Sequence, residues 1–388
     1  MDRRTFMRRA ATAAAAMAAG TEAAMGAETG RQGEKRVRVG IIGCGSVSGV
    51  YMPNLKQCPH AEIVSTCDII LERAERRARE HGIAHHYPNI DAMLAGVPFD
   101  LLVNLTDMQE HEHLNRRAIQ AGRHVWSEKP IANSLAAGQA ILELARDKGL
   151  RIWGAPTVVM SPQFAFMARA LARGALGRVA AAHADYGHTG PDWSSFFYEK
   201  GGGSMPDLGV YNITTLTGLL GPARAVTAMI SIVTPTRRIR DKGEIRVTEE
   251  DNAMVLLDHG SGLISHVQCG FNYFNPHGHD GSQEARHTIS IVGTKGSMGL
   301  VGYDWDPQGV DLATEDQPAY RRFAAEEGGY SWQYGACLAA RCLATGADML
   351  ITPEHALHVL EIITAARESS RSGRRIALRS TFKWPVIA

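Results

Sequence analysis

Three side chains of this sequence have the chemistry to move a proton. Lys129 follows an apolar run, which predicts a position at the carboxyl end of a buried strand. Asp207 and Tyr211 are four residues apart in a predicted helix, so they share one face and can point into the same cleft. An amine, a carboxylate and a phenol can each accept a proton from a hydroxyl group. These groups can act only where the fold holds them beside a substrate.

The first element that bears on this is a strand, a glycine turn and a helix. The β-branched run 37–42 predicts a buried strand, and it stops at a glycine turn where a helical pattern begins. In a dinucleotide-binding fold the first glycine makes the turn and the second lets the backbone approach a pyrophosphate. Ser48 takes the place of the third glycine and is small enough to pack there. The turn residues expected to contact the cofactor are Gly43, Gly45, Ser46, Val47 and Ser48.

A second apolar run, 62–67, ends at Asp68. Its distance from the glycines is typical of the acidic residue that accepts hydrogen bonds from the ribose hydroxyls. A carboxylate there repels a 2′-phosphate, which favours NAD over NADP and leaves NADP as the alternative. The other interpretation is that Asp68 only caps the following helix, Leu71 to His81.

Two further strands are predicted to end at the same edge of the sheet. Ligands of open α/β sheets lie beyond the carboxyl ends of the strands, so the residues there are expected to line the cofactor groove. They are Asn104, Leu105 and Thr106 after one strand, and Glu128, Lys129 and Pro130 after the next. His111 and His113 are two residues apart on the intervening helix, which favours a surface or packing role. We nevertheless include His111 among the residues expected to bind the cofactor.

The second half of the chain has a different pattern. Several strands follow one another without intervening helices between 178 and 301, which indicates a largely antiparallel sheet. Helices are predicted at 331–345 and 353–370. The expected fold class is therefore α/β, with an N-terminal Rossmann dinucleotide-binding domain at 36–155. A second, α+β domain with a large, mostly antiparallel open sheet is expected at 156–388.

The N-terminal residues are expected to lie outside this fold. Arg3 and Arg4 are followed by Phe6 and then by an alanine-rich run at 10–20, the order found in twin-arginine export signals. We expect a signal peptide at 1–27, an arm at 28–35 and a periplasmic or otherwise exported protein. The run is too short for the roughly 20 apolar residues of a spanning helix, so no membrane partner is expected after signal removal.

Net charge and cysteine content limit the classes of partner and of metal site that this chain is expected to have. The 41 basic and 40 acidic side chains give a net charge of +1, which does not favour nucleic-acid binding and points to a small-molecule partner. No metal site is expected, because His277 and His279 lie in a loop without a third ligand. The six cysteines form no close metal-type pair. We expect free thiols, as in a protein that folds in the reducing cytoplasm before export.

Three motifs together resemble the glucose-fructose oxidoreductase / inositol dehydrogenase / MocA (Gfo/Idh/MocA) family. They are Gly43-Cys44-Gly45 after the first strand, Ala121 to Val125 running into Glu128-Lys129-Pro130, and the run from Gly201 to Tyr211. The resemblance spans nearly the whole chain after Val37. It implies an oxidoreductase that uses NAD or NADP on a sugar or cyclic polyol, and an open sheet that serves oligomer contacts. We therefore expect a homo-oligomer, either a dimer or a tetramer.

The resemblance also suggests roles for the three proton-moving groups. Most family members have His at the position of Tyr211, whereas the glucose-fructose oxidoreductases have Tyr. Tyr211 is therefore assigned as proton acceptor or donor. A nearby Lys129 ammonium would favour the phenolate over the reference pKa of about 10, and Asp207 would bind the sugar or hold Lys129. In the rival assignments Lys129 is itself the base and Tyr211 is a core aromatic.

Substrate contacts are expected between His183 and Lys200. Aromatic rings there can stack on a sugar, although a packed loop cover is an equal interpretation. The predicted substrate-binding residues are Lys129, Tyr186, His188, Trp193, Asp207 and Tyr211. Two other functions remain open: an NAD-dependent glycosidase that oxidises its substrate transiently, and a non-catalytic sugar or nucleotide sensor. Export further suggests a tightly held cofactor, because no nucleotide pool exists outside the cytoplasm.

Overall fold

A computed structural model describes residues 36–275, 284–325 and 328–387 of the chain. The predicted signal at 1–27, the arm at 28–35 and the loop with His277 and His279 lie outside the described residues. The chain divides into two compact units. The first unit comprises Met1–Thr157 and Gly328–Pro353, and the second comprises Val158–Glu327 and Glu354–Ala388.

Within the described part of the chain, the first unit contains a sheet of six parallel strands. The strands are β1 (Val37–Ile42), β2 (Ala61–Cys67), β3 (His85–Tyr87), β4 (Leu101–Asn104), β5 (His124–Ser127) and β6 (Ile152–Gly154). Their order across the sheet is β3-β2-β1-β4-β5-β6. Successive strands are first added on one side of β1, up to β3, and then on its other side from β4, so the order of addition reverses between β1 and β4. That reversal is the switch point at which Rossmann folds bind ligands.

Helices connect these strands. They are α1 (Ser48–Gln57), α2 (Leu71–His81), α3 (Ile90–Ala95), α4 (His111–Gln120) and α5 (Leu135–Asp147). The predicted helix 71–81 has the bounds expected from its pattern. Helix α5 begins after Ser134, whose side chain accepts a hydrogen bond from the N–H of Ala137 and so caps the helix.

A segment from late in the sequence completes the first unit. A 3₁₀ turn, Trp332–Tyr334, leads into α8 (Gly335–Thr345), and both pack against α1. The Trp332 ring meets the Tyr51 ring edge-on at a centroid distance of 5.9 Å. A Cβ atom on Gly335 would overlap the ring of Trp126. We expected all of 156–388 to form the second domain, but this segment belongs to the first unit. The pattern of one helix does not show which sheet the helix covers.

The prediction that all six cysteines are free thiols is wrong. Cys58, directly after α1, forms a disulfide with Cys337 in α8, with their Cα atoms 5.7 Å apart. The two residues are 279 positions apart, so only the folded chain brings them together. The other four cysteines, which are Cys44, Cys67, Cys269 and Cys342, are free and buried.

The second unit is built on a sheet of nine strands, as far as the described residues extend. Along the chain its elements are α6 (Pro162–Ala172), β7 (Val179–Gly187), α7 (Val210–Leu220), β8 (Ala225–Ser231), β11 (Asn252–Gly260), β12 (Leu263–Gly270), β13 (His287–Gly293), β14 (Gly296–Tyr303), β15 (Asp306–Thr314), β16 (Gln317–Phe323), α9 (Pro353–Ser372) and β17 (Ile376–Ala377). The sheet order is β16-β15-β14-β13-β7-β12-β11-β8-β17. Only β7 and β12 pair in parallel among these strands, so the predicted, mostly antiparallel sheet is confirmed. A separate hairpin pairs β9 (Thr236–Ile239) with β10 (Gly243–Arg246).

The two faces of this sheet differ in burial. On β11, Ala253, Val255 and Leu257 are fully buried, whereas the alternating residues Met254 and Leu256 are 47% exposed. Hydrogen bonds tie α9 to the covered face, for example from the N–H of Ala228 to Ser369. The opposite face leaves apolar side chains exposed, including Met229, Ile264 and Val292. None of the described helices has the length and apolarity that a membrane span requires.

The disulfide gives a stability prediction. Replacing Cys337 by Ser should lower the free energy of unfolding by about 2–5 kcal/mol, because the cross-link restricts the unfolded chain. Chemical denaturation followed by fluorescence measures the change, and Cys342→Ser is the matched control, since Cys342 is a free cysteine of the same helix. Alkylation of the denatured, unreduced protein should modify four of the six cysteines. Six modified cysteines would contradict the cross-link.

Candidate active site

The glycine turn after β1 has the shape that a dinucleotide requires. Gly43 has a φ of 90°, and a Cβ atom there would lie 2.5 Å from the backbone carbonyl carbon of Leu105. Only glycine therefore lets the turn pack this closely against the end of β4. A Cβ on Gly45 would meet no atom within 4 Å, so space is open beside its backbone. This opening at the start of α1 fits the close approach of a pyrophosphate.

Asp68 is bound to this turn through its carboxylate. One oxygen accepts a hydrogen bond from the N–H of Cys44 at 2.8 Å, and the other accepts one from the N–H of Ile70 at 2.8 Å. The side chain is 6% exposed. Asp68 thus links the glycine turn to Ile70, the residue before α2, but no side chain caps the first turn of that helix, so the capping interpretation is wrong. Its contact with a ribose stays a prediction.

Ser48 holds the turn where a third glycine was expected. Its hydroxyl donates to the carbonyl of Gly45 at 2.7 Å and accepts from Arg77 Nε at 3.0 Å. Arg77 also donates from Nη2 to the carbonyl of Gly45 at 3.1 Å. The serine is therefore part of a hydrogen-bonded support. Ser46 is exposed and Val47 is half-buried at the start of α1, where no side chain caps the first turn.

The last residue of β4 and the two residues that follow it have different positions. Asn104 is fully buried, and its amide donates to Asn115 Oδ1 at 2.9 Å while its oxygen accepts from the Thr106 hydroxyl at 2.7 Å. Leu105 is also buried, whereas Thr106 is half-buried. Asn104 therefore supports this segment from the interior, and Thr106 is the one of the three that offers its side chain at the surface.

The segment after β5 is held by a buried tyrosine. The Tyr51 hydroxyl donates to Glu128 Oε1 at 2.6 Å, and the N–H of Lys129 donates to Glu128 Oε2 at 3.2 Å. Burial and then the neighbouring Glu128 charge raise the pKa of Tyr51, so its hydroxyl stays a donor. Lys129 itself is half-buried and lies two residues after Ser127, the last residue of β5. The sequence analysis named Glu128 and Lys129 but missed Tyr51, whose only signal is its place on the inner face of α1.

His111 has a structural position. Its Nδ1 lies 2.8 Å from the carbonyl oxygen of Pro130, and its Nε2 lies 3.0 Å from that of Thr106. The ring is 1% exposed, and burial lowers its pKa. His111 therefore ties the end of β4 to the Glu128–Pro130 segment, in agreement with the packing interpretation. Its assignment to the cofactor stays a prediction.

In the second unit, Asp207 and Tyr211 lie on one continuous helical segment. Asp207 belongs to a π turn, Met205–Gly209, and Tyr211 is the second residue of α7. The Tyr211 and Tyr186 rings meet edge-on with centroids 6.2 Å apart. The pKa of Tyr186 is raised by burial first and by the Asp207 charge second, which shows that Asp207 acts on the same group of side chains. Three predicted residues are thus brought together.

Two aromatic residues beside this group escaped the sequence analysis. The Tyr303 ring lies 4.6 Å from the Tyr186 ring, and Trp305 stacks on Tyr303 with centroids 5.6 Å apart. Between them Asp304 accepts hydrogen bonds from Asn212 and Thr215 on α7, at 3.1 and 2.9 Å. Burial raises the pKa of Asp304 to about 6. The aromatic–acid–aromatic run at a strand end was the signal that could have identified this cluster.

The other expected substrate contacts are less concentrated. His188 is 2% exposed and accepts a hydrogen bond from the N–H of Gly190 at 2.9 Å, although its ring lies 6.1 Å from that of Tyr186. Trp193 is 39% exposed and packs edge-on against Phe197. Trp193 therefore offers an open ring, and His188 supports the loop. The residues described by the structure contain no group of three or more metal-ligating side chains.

Comparison with known proteins agrees with this arrangement in both units. Residues 37–155 match the oxidoreductase family with an NAD-binding Rossmann fold, and residues 164–299 match the GFO/IDH/MocA C-terminal domain. The chain is 24% identical over 362 residues to the D-apiose dehydrogenase of Paraburkholderia graminis, covering 89% of this chain and 91% of the relative.

Solved structures show the same fold. A levoglucosan dehydrogenase in complex with NADH and L-sorbose superposes with a TM-score of 0.78 at 18% identity, over 89% of this chain and 100% of that one. The aldose-aldose oxidoreductase of Caulobacter crescentus, complexed with glycerol, has a TM-score of 0.74 at 20% identity, over 89% and 100% of the two chains. The sequence motifs, the NAD-binding Rossmann unit and the sheet of the second unit lead to one conclusion: this chain belongs to the Gfo/Idh/MocA family of oxidoreductases.

Proposed function

We propose that this protein interconverts a hydroxyl and a carbonyl group on a sugar or cyclic polyol. One observation carries the proposal: a phenol, a carboxylate and further aromatic rings gather around Tyr211 in a chain whose other unit is an NAD-binding domain. Sugars stack on aromatic rings and donate hydrogen bonds to carboxylates. Two relatives have names that support a sugar substrate, D-apiose dehydrogenase and 1,5-anhydro-D-fructose reductase. Others are named trans-1,2-dihydrobenzene-1,2-diol dehydrogenase, after a cyclic diol.

The residues of the first unit would hold the cofactor. The open backbone at Gly45, the first turn of α1 and the surface at Thr106 fit the pyrophosphate and the adjoining groove. Asp68 would face the ribose. When bound, NAD supplies the hydride acceptor for oxidation of the substrate carbon.

The proton of the substrate hydroxyl needs its own acceptor. In our proposal Tyr211 takes or returns this proton, and Lys129 serves the same proton transfer as a cationic group. Asp207 binds a substrate hydroxyl, and the half-buried Trp305 offers aromatic surface for the sugar ring. Tyr186 is only 5% exposed and supports Tyr211 through its ring contact. Tyr51 keeps Glu128 in place through its 2.6 Å hydrogen bond, and Glu128 in turn binds the N–H of Lys129.

Paired substitutions test these roles. Lys129→Met and Tyr211→Phe should each lower kcat by about 10²- to 10⁴-fold, because each removes a participant in proton transfer. NADH formation with a sugar panel gives kcat, and fluorescence titration shows that the cofactor still binds. If the two residues act as a unit, the double variant loses little more than either single variant.

Lys148→Met, at the end of α5, is the matched lysine control. Unchanged turnover in Lys129→Met would refute the assignment. Release of sugar from a glycoside without net NADH would identify a glycosidase instead.

The cofactor itself gives a further prediction. We propose export through the twin-arginine route with the nucleotide already bound, so protein purified from the cell envelope should release NAD when it is denatured. Mass spectrometry identifies the nucleotide. Asp68→Asn should raise the share of NADP, because the carboxylate no longer repels a 2′-phosphate. Glu72→Gln, an acidic residue in the first turn of α2, is the control. Denatured protein that releases no nucleotide would contradict tight binding.

The uncovered sheet face supports a homo-oligomer. Met229, Met254 and Leu256 are exposed on adjacent strands, with Met254 directly opposite Met229. A contiguous apolar surface of this kind is typical of a protein–protein interface. We propose a dimer or tetramer formed through this face, and light scattering should give a mass of at least two chains. Met254→Lys should shift the protein toward the monomer, and a monomeric wild type would refute the proposal.

A further inference from the structure

The glycine loop that precedes Asp207 closely approaches a buried carboxylate. Gly201 and Gly203 have φ values of 87° and 112°, in the region that favours glycine. A Cβ on Gly203 would overlap the carboxylate of Glu250. The loop leads directly into the π turn that carries Asp207 and then into α7 with Tyr211. The position of the glycine loop therefore determines the positions of the Asp207 and Tyr211 side chains.

Glu250 binds this loop through its side chain and its backbone. Its Oε1 accepts a hydrogen bond from the N–H of Met205 at 3.1 Å, and its backbone carbonyl accepts one from the N–H of Ser204 at 2.9 Å. The neighbouring Glu249 accepts one from the N–H of Gly201 at 3.1 Å. Glu250 is only 5% exposed. The start of the π turn is thus fixed by an acidic side chain from outside the helix.

Arg367 on α9 completes the arrangement. Its Nη2 donates to the carbonyl oxygen of Gly202 at 2.5 Å and lies 2.9 Å from Glu250 Oε2 and 3.4 Å from Glu249 Oε2. One guanidinium nitrogen therefore bridges the loop backbone and both carboxylates. Charge-assisted hydrogen bonds of this kind are stronger than neutral ones and impose geometry.

The ionisation of Glu250 depends on few neighbours. Burial raises its pKa to about 7, while Arg367 and the N–H of Met205 lower it and Glu249 raises it. From β12, the Cys269 thiol faces the same region and lies 3.9 Å from the Ser204 hydroxyl. Burial and the Glu250 charge raise the pKa of Cys269 to about 12, so it stays neutral near pH 7. Glu250 is then the group of this cluster that changes charge close to neutrality.

We propose that Glu250 and Arg367 are positioning residues: together they hold the glycine loop so that Asp207 and Tyr211 face the substrate. This inference rests on the function proposed above for those two residues. The bridging contact needs the Glu250 carboxylate, so the loop is best held when Glu250 is ionised. Protonation weakens the contact with Arg367 and releases the loop.

Activity and stability should then respond to pH in opposite directions. The folded protein holds the Glu250 proton between its ordinary pKa of 4.5 and its raised pKa of about 7. Because the unfolded chain has already lost this proton, the Glu250 contribution to stability is greatest below pH 4.5 and falls as pH rises to about 7. The positioning contact, and with it kcat, should rise over the upper part of that same range. A purely structural carboxylate would change stability alone.

Glu250→Gln separates these effects. The amide keeps the size of the side chain and one acceptor oxygen but loses the charge, so kcat should fall about 10- to 100-fold. The rise of kcat near pH 7 should disappear, and cofactor binding should stay unchanged. Hydrogen–deuterium exchange of the amides at 201–211 should accelerate. Arg367→Met should have the same effects, whereas Arg367→Lys should restore much of the rate, because one cationic nitrogen makes all three contacts.

Glu361→Gln is the matched control. Glu361 is a buried carboxylate on α9, the helix that carries Arg367, and it accepts hydrogen bonds from the N–H groups of Arg379 and Ser380. It should leave the pH profile and the exchange at 201–211 unchanged. Wild-type exchange at 201–211 in Glu250→Gln would overturn the inference, whatever the enzyme's substrate. Failure of the wild type to oxidise any sugar would instead count against the proposed function, because the exchange measurement does not depend on turnover.

Discussion

The close approach of the glycine turn to the end of β4 is the constraint on which the nucleotide-binding unit depends. A side chain at Gly43 would collide with the backbone of Leu105, so the turn can form only with glycine there. Once it forms, the N–H of Cys44 binds Asp68, the carbonyl of Gly45 binds Ser48 and Arg77, and α1 starts in a fixed direction. The same helix carries Tyr51 to Glu128. One tight turn thereby sets both the open backbone at Gly45 and the segment that holds Lys129.

The second unit uses the same physical solution at a different place. There too a glycine loop enters a helical segment, and a buried carboxylate from elsewhere in the sequence binds a backbone N–H at the end of that loop or directly after it. Asp68 and Cys44 form this pair in the first unit, and Glu250 and Met205 form it in the second. Glycine supplies the close approach and the carboxylate supplies the direction. Without the Asp68 and Glu250 carboxylates, the flexible glycine loops would not fix where the following helical segments start.

Local patterns predicted most elements but not their long-range partners. The helix 71–81, the Rossmann fold of the first unit and the antiparallel character of the second half follow from periodicity and turn residues, which act over a few positions. The strands β15 and β16 were missed, because β16 is exposed along its whole length and has no alternating apolar pattern. Tyr51, Glu250, Arg367 and the Cys58–Cys337 disulfide were missed for another reason: each acts on residues far away in the sequence. The glycine turn and Asp207–Tyr211 were visible because their spacing is local.

The return of α8 to the first unit affects how the chain is made. The nucleotide-binding unit is not contiguous, since 170 residues of the second unit, Val158–Glu327, are inserted before its last helix. While only the first part of the chain has been synthesised, the side of α1 that Trp332 covers is exposed. Cys58 then also lacks its disulfide partner, Cys337. The packing of the first unit is therefore complete only once residues 328–345 have been made, and a truncated N-terminal domain would present an apolar, thiol-bearing surface to its surroundings.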